Sequence, residues 1–359
     1  MRDTFKEDWD EAKERLAAWW NLEELDRVTL GTWGPRAKRV PGVPAPPPRP
    51  ADEAVAWTSP DYRLGVCLDD FAATFYGGVA VPNMNLNLGP GSLAIHLGSP
   101  PAFRPETVWY GPCIDDPDTF PGVSFDPADR FWPEQETLLR TAVERCDGRY
   151  LVDIPDLIEN LDTYASLRGM EPMMFDLIER PGFVHRILRD INAAYFAAHE
   201  RSCRLVTGDD GGTIFSFFQV WAPGPMAKLQ CDLSGMISPT MFDEFVVPYL
   251  AEQCARIPYC LFHLDGPANA VHLDSLLGID SLRIIQWTPG AGQPNTGDPV
   301  WFDMYRRVLK AGRGLLLLGM NTDQVAGVVR AVGRRGVYCG AFADSETEAR
   351  DLLKAAARF

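Results

Sequence analysis

The stretch YCLFHLDGPANAVHLDSLLG (residues 259–278) decides the fold. Its first half is mostly apolar, as in a buried strand, and the Gly-Pro pair that follows begins a segment with a helical pattern. The same order of strand and helix recurs three times before the chain ends, with strands predicted in SLRIIQWTPG (281–290), GLLLLGM (314–320) and GVYCGAF (336–342). Four consecutive units of this kind imply a parallel sheet with helical crossovers.

Along the whole chain, eight strands are predicted, near residues 28–33, 150–154, 213–218, 228–232, 258–263, 282–287, 314–319 and 336–340. Eight βα-like units favour a (β/α)8 TIM barrel over an open sheet, which would carry a glycine-rich nucleotide turn. Neither G-x-G-x-x-G nor G-x-x-x-x-G-K occurs in the sequence. We expect one structural domain, in which residues 1–148 form an N-terminal helix, the first strand and a loop-rich cap, and residues 149–359 supply the remaining units.

The composition is typical of a globular protein, with 359 residues, 46% apolar residues and a net charge of −15. The acidic balance argues against a nucleic-acid partner, because no basic patch is available to bind phosphates. No apolar run approaches the roughly 20 residues of a membrane helix, and the charged first residues do not resemble a signal peptide, so we expect a cytoplasmic protein without membrane contact. The loop-rich first part offers surface for a homodimer.

Polar residues and cysteines fall at the predicted carboxyl ends of strands, where (β/α)8 enzymes place their chemistry. These candidates are Asp153, Cys231, Asp232, His263, Asp265, Gln286, Trp287 and Cys339. His263 and Asp265 are two residues apart, so both project to the same side of a strand. With Cys339 or Cys231 they would form a zinc site for a small-molecule substrate. Alternatively, His263 bonds a loop carbonyl and Asp265 caps the following helix.

The other candidates have competing interpretations. Asp232 or Asp153 could transfer protons, although DLSG (232–235) is equally typical of a turn. Gln286 and Trp287 could contact a cofactor, although aromatic packing is the usual role of a single tryptophan. Cysteines in strands are usually packed as small apolar residues. The eight cysteines contain no C-x-x-C pair, which argues against a zinc finger.

Three stretches carry a resemblance to a known family: CDLSGMISPTMFDEFVVPYLAEQCARI (231–257), LFHLDGPANAVHLDSLLGIDSLRIIQWTPG (261–290) and GVYCGAFADSETEARDLLKA (336–355). They resemble the uroporphyrinogen decarboxylase superfamily, and within it the zinc-dependent, cobalamin-linked methyltransferase branch and its uncharacterised relatives. The resemblance implies a TIM barrel. The arginine-rich motif with which the decarboxylase branch holds its porphyrinogen is absent from the N-terminal part.

In the methyltransferase branch a strand ends His-x-Cys, and a later cysteine completes a zinc site that activates a thiol. The resemblance therefore implies that His263 and Cys339 are ligands. Asp265 stands where the pattern has cysteine, and Cys231 is a candidate for the missing sulfur. A carboxylate is a harder metal ligand than a thiolate. The group that the metal activates could therefore be a hydroxyl, water or carboxylate in place of a thiol.

The resemblance implies an enzyme that moves a methyl group between a corrinoid, free or on a partner protein, and a small nucleophile. A metal-free decarboxylase or lyase acting on a small carboxylate is one alternative. A non-catalytic binder of a small molecule or corrinoid is another.

Overall fold

The computed structural model describes residues 4–23, 25–129 and 131–359. The strands are β1 (Thr29–Pro35), β2 (Thr74–Gly78), β3 (Asn83–Met84), β4 (Pro101–Phe103), β5 (Val108–Tyr110), β6 (Leu151–Val152), β7 (Thr213–Phe215), β8 (Val220–Ala222), β9 (Met226–Gln230), β10 (Tyr259–Asp265), β11 (Ile284–Thr288), β12 (Gly314–Asn321) and β13 (Val337–Phe342). Each of the eight predicted strands overlaps one of these.

The helices surround the strands. They are α1 (Trp9–Trp20), α2 (Glu53–Thr58), α3 (Pro60–Ala73), α4 (Leu93–His96), α5 (Phe131–Glu144), α6 (Asn160–Arg168), α7 (Met170–Glu179), α8 (Pro181–Val206), α9 (Pro239–Phe245), α10 (Val247–Arg256), α11 (Gly266–Asn269), α12 (Leu273–Leu277), α13 (Phe302–Lys310), α14 (Val325–Val332) and α15 (Glu346–Ala356). Ser238 caps α9, because its hydroxyl accepts from the Met241 N–H at 3.2 Å.

A seven-stranded sheet with the order β2-β1-β13-β12-β11-β10-β9 forms the centre of the fold. Its strands are parallel except β2, which runs antiparallel to β1. The predicted α/β class with a mainly parallel sheet is therefore confirmed. Because β1 pairs with β13, the first part of the chain and the last part share one sheet.

The described residues do not form the closed eight-stranded barrel that the strand count predicts. β6 pairs with β3, and β7 pairs with β8, each in a small separate sheet. Single hydrogen bonds bridge the remaining gap, from the Ile154 N–H to the Ile214 carbonyl (3.0 Å) and from the Met226 N–H to the Thr213 hydroxyl (3.1 Å). The continuous sheet stops here because β7 turns back into an antiparallel hairpin after three residues.

The two faces of the sheet are packed differently. On β10, Cys260, Phe262 and Leu264 join the apolar cluster under the helices, whereas Leu261 joins the cluster on the opposite, inner face. Helix α1 closes that inner face, where Trp19 is buried and its indole N–H lies 3.2 Å from the Gly336 carbonyl. Helix α1 covers the amino-terminal ends of the strands, so a binding site on the inner face would have to lie at their carboxyl-terminal ends.

No helix of the described residues combines the length and the apolar character that crossing a membrane requires.

Candidate metal centre

Three polar side chains lie side by side on β9, β10 and β11. Gln230 is in register with His263, and His263 is in register with Gln286. His263 follows Leu261 on the inner face by strand alternation, so this polar row lies on the inner face near the carboxyl ends of the strands. The sequence predicted polar groups at this end of the sheet, and the register shows that they are neighbours.

Asp232, His263 and Asp265 form the one group of potential metal ligands found among the described residues. One ligand atom from each side chain lies within 4.8 Å of the others. His263 Nε2 is 4.0 Å from Asp232 Oδ1. The predicted pair His263 and Asp265 is thus joined by Asp232, for which the sequence predicts either proton transfer or a place in a turn. The donor set is one imidazole nitrogen and two carboxylates, all acceptable to zinc.

The alternative roles of His263 and Asp265 do not match the contacts. Asp265 precedes α11, but its side chain accepts no capping hydrogen bond from the described residues. His263 Nδ1 contacts the side-chain oxygen of Gln286 and not a loop carbonyl. Both side chains therefore remain available to the group that they form with Asp232.

Gln286 fixes the tautomer of His263. The Gln286 amide nitrogen donates to the Trp287 carbonyl (2.8 Å) and to the Thr288 hydroxyl (3.0 Å), so its oxygen faces Nδ1 of His263. Because an amide oxygen only accepts, Nδ1 carries the proton and Nε2 keeps its lone pair toward Asp232. Burial lowers the pKa of His263, and Lys228 lowers it further. A neutral imidazole with a free Nε2 is the form that binds metals.

Asp232 is held by two neighbours. Gln230 Nε2 donates to Asp232 Oδ2 at 2.8 Å, and the Asp232 backbone N–H donates to Asp162 Oδ2 at 2.8 Å. Burial raises the pKa of Asp232 to about 6, and the nearby carboxylates Asp265 and Asp156 contribute, although Lys228 acts in the opposite direction. The carboxylates are thus crowded, and a cation would relieve their repulsion.

Lys228, Asp162 and Glu159 were not identified from the sequence. The ammonium of Lys228, almost completely buried, lies 2.6 Å from Asp156. The fully buried Glu159 accepts from the Gln230 N–H at 2.9 Å, and burial raises its pKa well above the usual range. Strand alternation in KLQCD (228–232) carried a signal, since it places Lys228, Gln230 and Asp232 on one face.

Backbone strain marks the segment that supplies these carboxylates. Ile158 and Asn160, on either side of Glu159, have φ of +49° and +57°. Positive φ is rare for a β-branched residue and occurs preferentially at functional positions, where packing maintains the strain. In the sequence, acidic residues recur every third position from Asp153 to Asp162, but that spacing alone does not indicate which of them reach the centre.

The two cysteines lie on the other face of the sheet. Cys339 is fully buried and clusters with Val337 and Ala341 under the helices, and Cys231 clusters with Leu229 on the same side. Burial raises the pKa of the Cys339 thiol to about 12. The expectation that Cys339 or Cys231 completes the ligand set therefore needs correction. Successive side chains of a strand point to opposite faces. Cys339 follows the inner-face residue Tyr338, and Cys231 follows the inner-face residue Gln230, so both thiols lie on the outer face.

Trp287 and Asp153 also lie apart from the cluster. Trp287 is fully buried against Trp301, with ring centroids 5.1 Å apart, so it has no surface to offer a cofactor. Asp153 is buried within electrostatic range of Arg63 and Cys67, on the side of α3. Gln286 is buried, and its side-chain oxygen contacts His263 Nδ1.

No protein-family model and no curated protein matches this chain. Among solved structures, the chain is similar to a methyltransferase from Methanosarcina mazei, with a TM-score of 0.61 and 14% sequence identity. The similarity covers 97% of this chain and 98% of the other. A likeness at this level of identity shows a shared overall fold along almost the whole chain.

Proposed function

We propose that this protein is a metal-dependent methyltransferase that moves a methyl group between a corrinoid and a small nucleophile. The observation that carries the proposal is the meeting of Asp232, His263 and Asp265 near the carboxyl ends of β9 and β10, with ligand atoms within 4.8 Å of one another. The fold shared with a protein named as a methyltransferase supports the reaction class. The resemblance of residues 231–257, 261–290 and 336–355 to the cobalamin-linked methyltransferase branch points to the same class.

The three side chains suit a catalytic zinc ion, because such sites use three protein ligands and keep a position open. Zinc at this place would act as a Lewis acid and lower the pKa of a bound nucleophile. One imidazole and two carboxylates are a harder donor set than a thiolate site. This set favours an oxygen nucleophile, such as a hydroxyl, over a thiol.

Apolar rings border the same end of the sheet. Phe218 lies 5.1 Å from the His263 ring, and its neighbour Phe217 is 72% exposed. Phe342, at the end of β13, is 64% exposed and packs beside Trp33. Exposed rings of this kind provide apolar surface on which a flat corrinoid could lie. A corrinoid-carrying partner protein and a homodimer remain predictions from the sequence.

The proposal includes a TIM-barrel arrangement of the strands in which continuous strand pairing does not close the ring. The single hydrogen bonds from Ile154 to Ile214 and from Met226 to Thr213 lie where the missing strand pairings of a barrel would be. They support a ring of strands around the inner face, with the candidate metal centre at its mouth.

Elemental analysis tests the metal site. The chain, purified without chelator, is expected to hold about one zinc ion, and His263→Ala is expected to lose it. His185→Ala is the matched control, because His185 lies on α8 and contacts Tyr249 and Glu244. Negligible zinc in the wild type, equal to that in His263→Ala, would contradict the proposal. Demethylation of methylcobalamin in the presence of small hydroxyl compounds then tests the reaction.

A metal-free decarboxylase or lyase is the second candidate, and two features favour it. The buried Lys228 ammonium could stabilise developing negative charge, and Asp232, whose pKa is raised to about 6, could donate a proton near neutral pH. Release of carbon dioxide from a small carboxylate by zinc-free wild type, lost in Lys228→Met, would support this reaction instead.

A further inference from the structure

We propose that Gln230, itself oriented by Lys228, positions Asp232 for metal binding. The inference rests on the proposed metal site and adds two residues that are not ligands. Gln230 lies on β9, two residues before Asp232, and is almost completely buried.

The amide of Gln230 connects a cation to two carboxylates. Its oxygen accepts from the Lys228 ammonium, and its nitrogen donates to Asp232 Oδ2 at 2.8 Å and to Asp162 Oδ2 at 3.3 Å. Every hydrogen-bonding group of this amide therefore has a partner. One oxygen of Asp232 is engaged by Gln230, and the other, Oδ1, lies toward His263 Nε2.

The direction of the amide is determined by chemistry. A lysine ammonium has three donors and no acceptor, so only the oxygen of Gln230 can face it. The amide N–H groups must then point at Asp232 and Asp162. Without Lys228, a flipped amide would present its oxygen to two carboxylates, which repel it, or lose its contact with them.

Lys228 is held in place independently of Gln230. Its ammonium lies 2.6 Å from Asp156 Oδ1 and 5.4 Å from the centre of the Phe215 ring. Asp162 holds the other side of the arrangement, because it accepts from the backbone N–H groups of Asp232 (2.8 Å) and Leu233 (3.2 Å). The side chain and the backbone of Asp232 are therefore fixed by different residues, as is typical of residues that support a metal ligand.

Gln230→Glu is the sharpest test, because glutamate has nearly the same shape and still accepts from Lys228 but cannot donate to Asp232. We expect its affinity for Zn²⁺, measured by competition with a chromophoric chelator, to fall about 10- to 100-fold. Lys228→Met should weaken binding in the same direction. In the Co²⁺-substituted protein, the visible absorption of both variants should change, since it reports the geometry of the ligands.

Gln253→Glu is the matched control. Gln253 is also buried and donates to a side chain, Asn192, at 2.7 Å, but it lies on α10. It should retain wild-type Zn²⁺ affinity and the wild-type Co²⁺ spectrum, which separates positioning from a general cost of a buried glutamate.

The outcomes separate the two proposals. If the wild type binds Zn²⁺ and His263→Ala does not, while folded Gln230→Glu matches the wild type in affinity and spectrum, the positioning role is wrong and the metal site stands. If Gln253→Glu loses affinity as much as Gln230→Glu, the positioning role is also wrong. A wild type that binds no Zn²⁺ contradicts both proposals.

Discussion

Two carboxylates in this protein, those of Asp176 and Asp232, have opposite surroundings. Asp176, on α7, accepts from the Tyr164 hydroxyl (2.7 Å), from Arg168 (2.8 Å) and from Arg180 (3.1 Å). Burial by itself would raise its pKa, but these three donors together lower it. Asp232, one of the three side chains of the candidate metal centre, is close to other carboxylates, and its pKa is raised by burial and by these neighbours.

The difference shows which carboxylates support the fold and which weaken it. An acid whose pKa falls on folding stabilises the folded state in its ionised form, whereas an acid whose pKa rises destabilises the folded state when it ionises. A protein that maintains crowded carboxylates near an open end of its sheet gives up stability there. Such sites are candidates for chemistry or for binding a cation.

Replacing Asp176 should produce the largest change in stability. Asp176→Asn leaves two arginines with a neutral partner, and we expect the free energy of unfolding at pH 7 to fall by about 3 kcal/mol. The pKa of Asp176 is lowered by folding, so its contribution is fully present above the unfolded-state pKa of about 3.9 and is lost as the pH falls through the lower folded-state pKa. Urea unfolding at several pH values measures this.

The difference in free energy of unfolding between the wild type and Asp176→Asn should therefore become smaller in acid. Asp303→Asn is the control, because Asp303 is 96% exposed beside Arg306 and should leave the free energy of unfolding essentially unchanged. An Asp176→Asn protein as stable as the wild type at pH 7 would show that the ion pairs of Asp176 do not stabilise the fold.

Replacing Gln286 should have an intermediate effect, on metal binding. Gln286→Leu removes the acceptor from His263 Nδ1 and frees the ring to adopt the other tautomer, so Zn²⁺ affinity should fall about tenfold, or about 1.4 kcal/mol. Gln286→Glu keeps an acceptor at this place and should bind Zn²⁺ more tightly than Gln286→Leu. Isothermal titration calorimetry compares the two, and equal affinities would contradict the orienting role.

Replacing Asp232 should produce a small change in the free energy of unfolding, with the opposite sign to that of Asp176. Without metal, Asp232→Asn removes a crowded charge and should raise the free energy of unfolding at pH 7 by about 0.5 kcal/mol, a small effect because the side chain is 47% exposed and solvent screens it. Its folded-state pKa, about 6, lies above the unfolded-state value of about 3.9. The wild type should therefore lose stability relative to Asp232→Asn as the pH rises from about 4 through about 6.

Urea unfolding of the two proteins in the presence of chelator, between about pH 4 and about pH 7, measures this trend. A metal-free Asp232→Asn protein that is clearly less stable than the wild type at pH 7 would mean that Asp232 is a structural carboxylate like Asp176.

Local pattern was sufficient to predict a mainly parallel sheet and to place His263 and Asp265 at the end of one strand. The repeating strand and helix of residues 259–342 predicted parallel strands, and the spacing of His263 and Asp265 predicted two ligands on one side. The prediction failed for Cys339, because a strand end identifies a residue near the mouth but not the face it occupies. The face is decided by packing: Tyr338 joins the inner cluster with Trp19 of α1, so its neighbours Val337 and Cys339 join the cluster under the outer helices.

The sequence by itself determined the strand periodicity, the order of the βα units and the presence of a histidine and an aspartate at one strand end. Only the tertiary structure decided that Asp232 joins them and that the thiols point away. It also brought Lys228 and Gln230 beside Asp232, and it left β7 in a hairpin outside the main sheet. The physical reason is that periodicity depends on neighbours along the chain, whereas ligand sets, burial and pKa shifts depend on side chains that the chain brings together from separate strands.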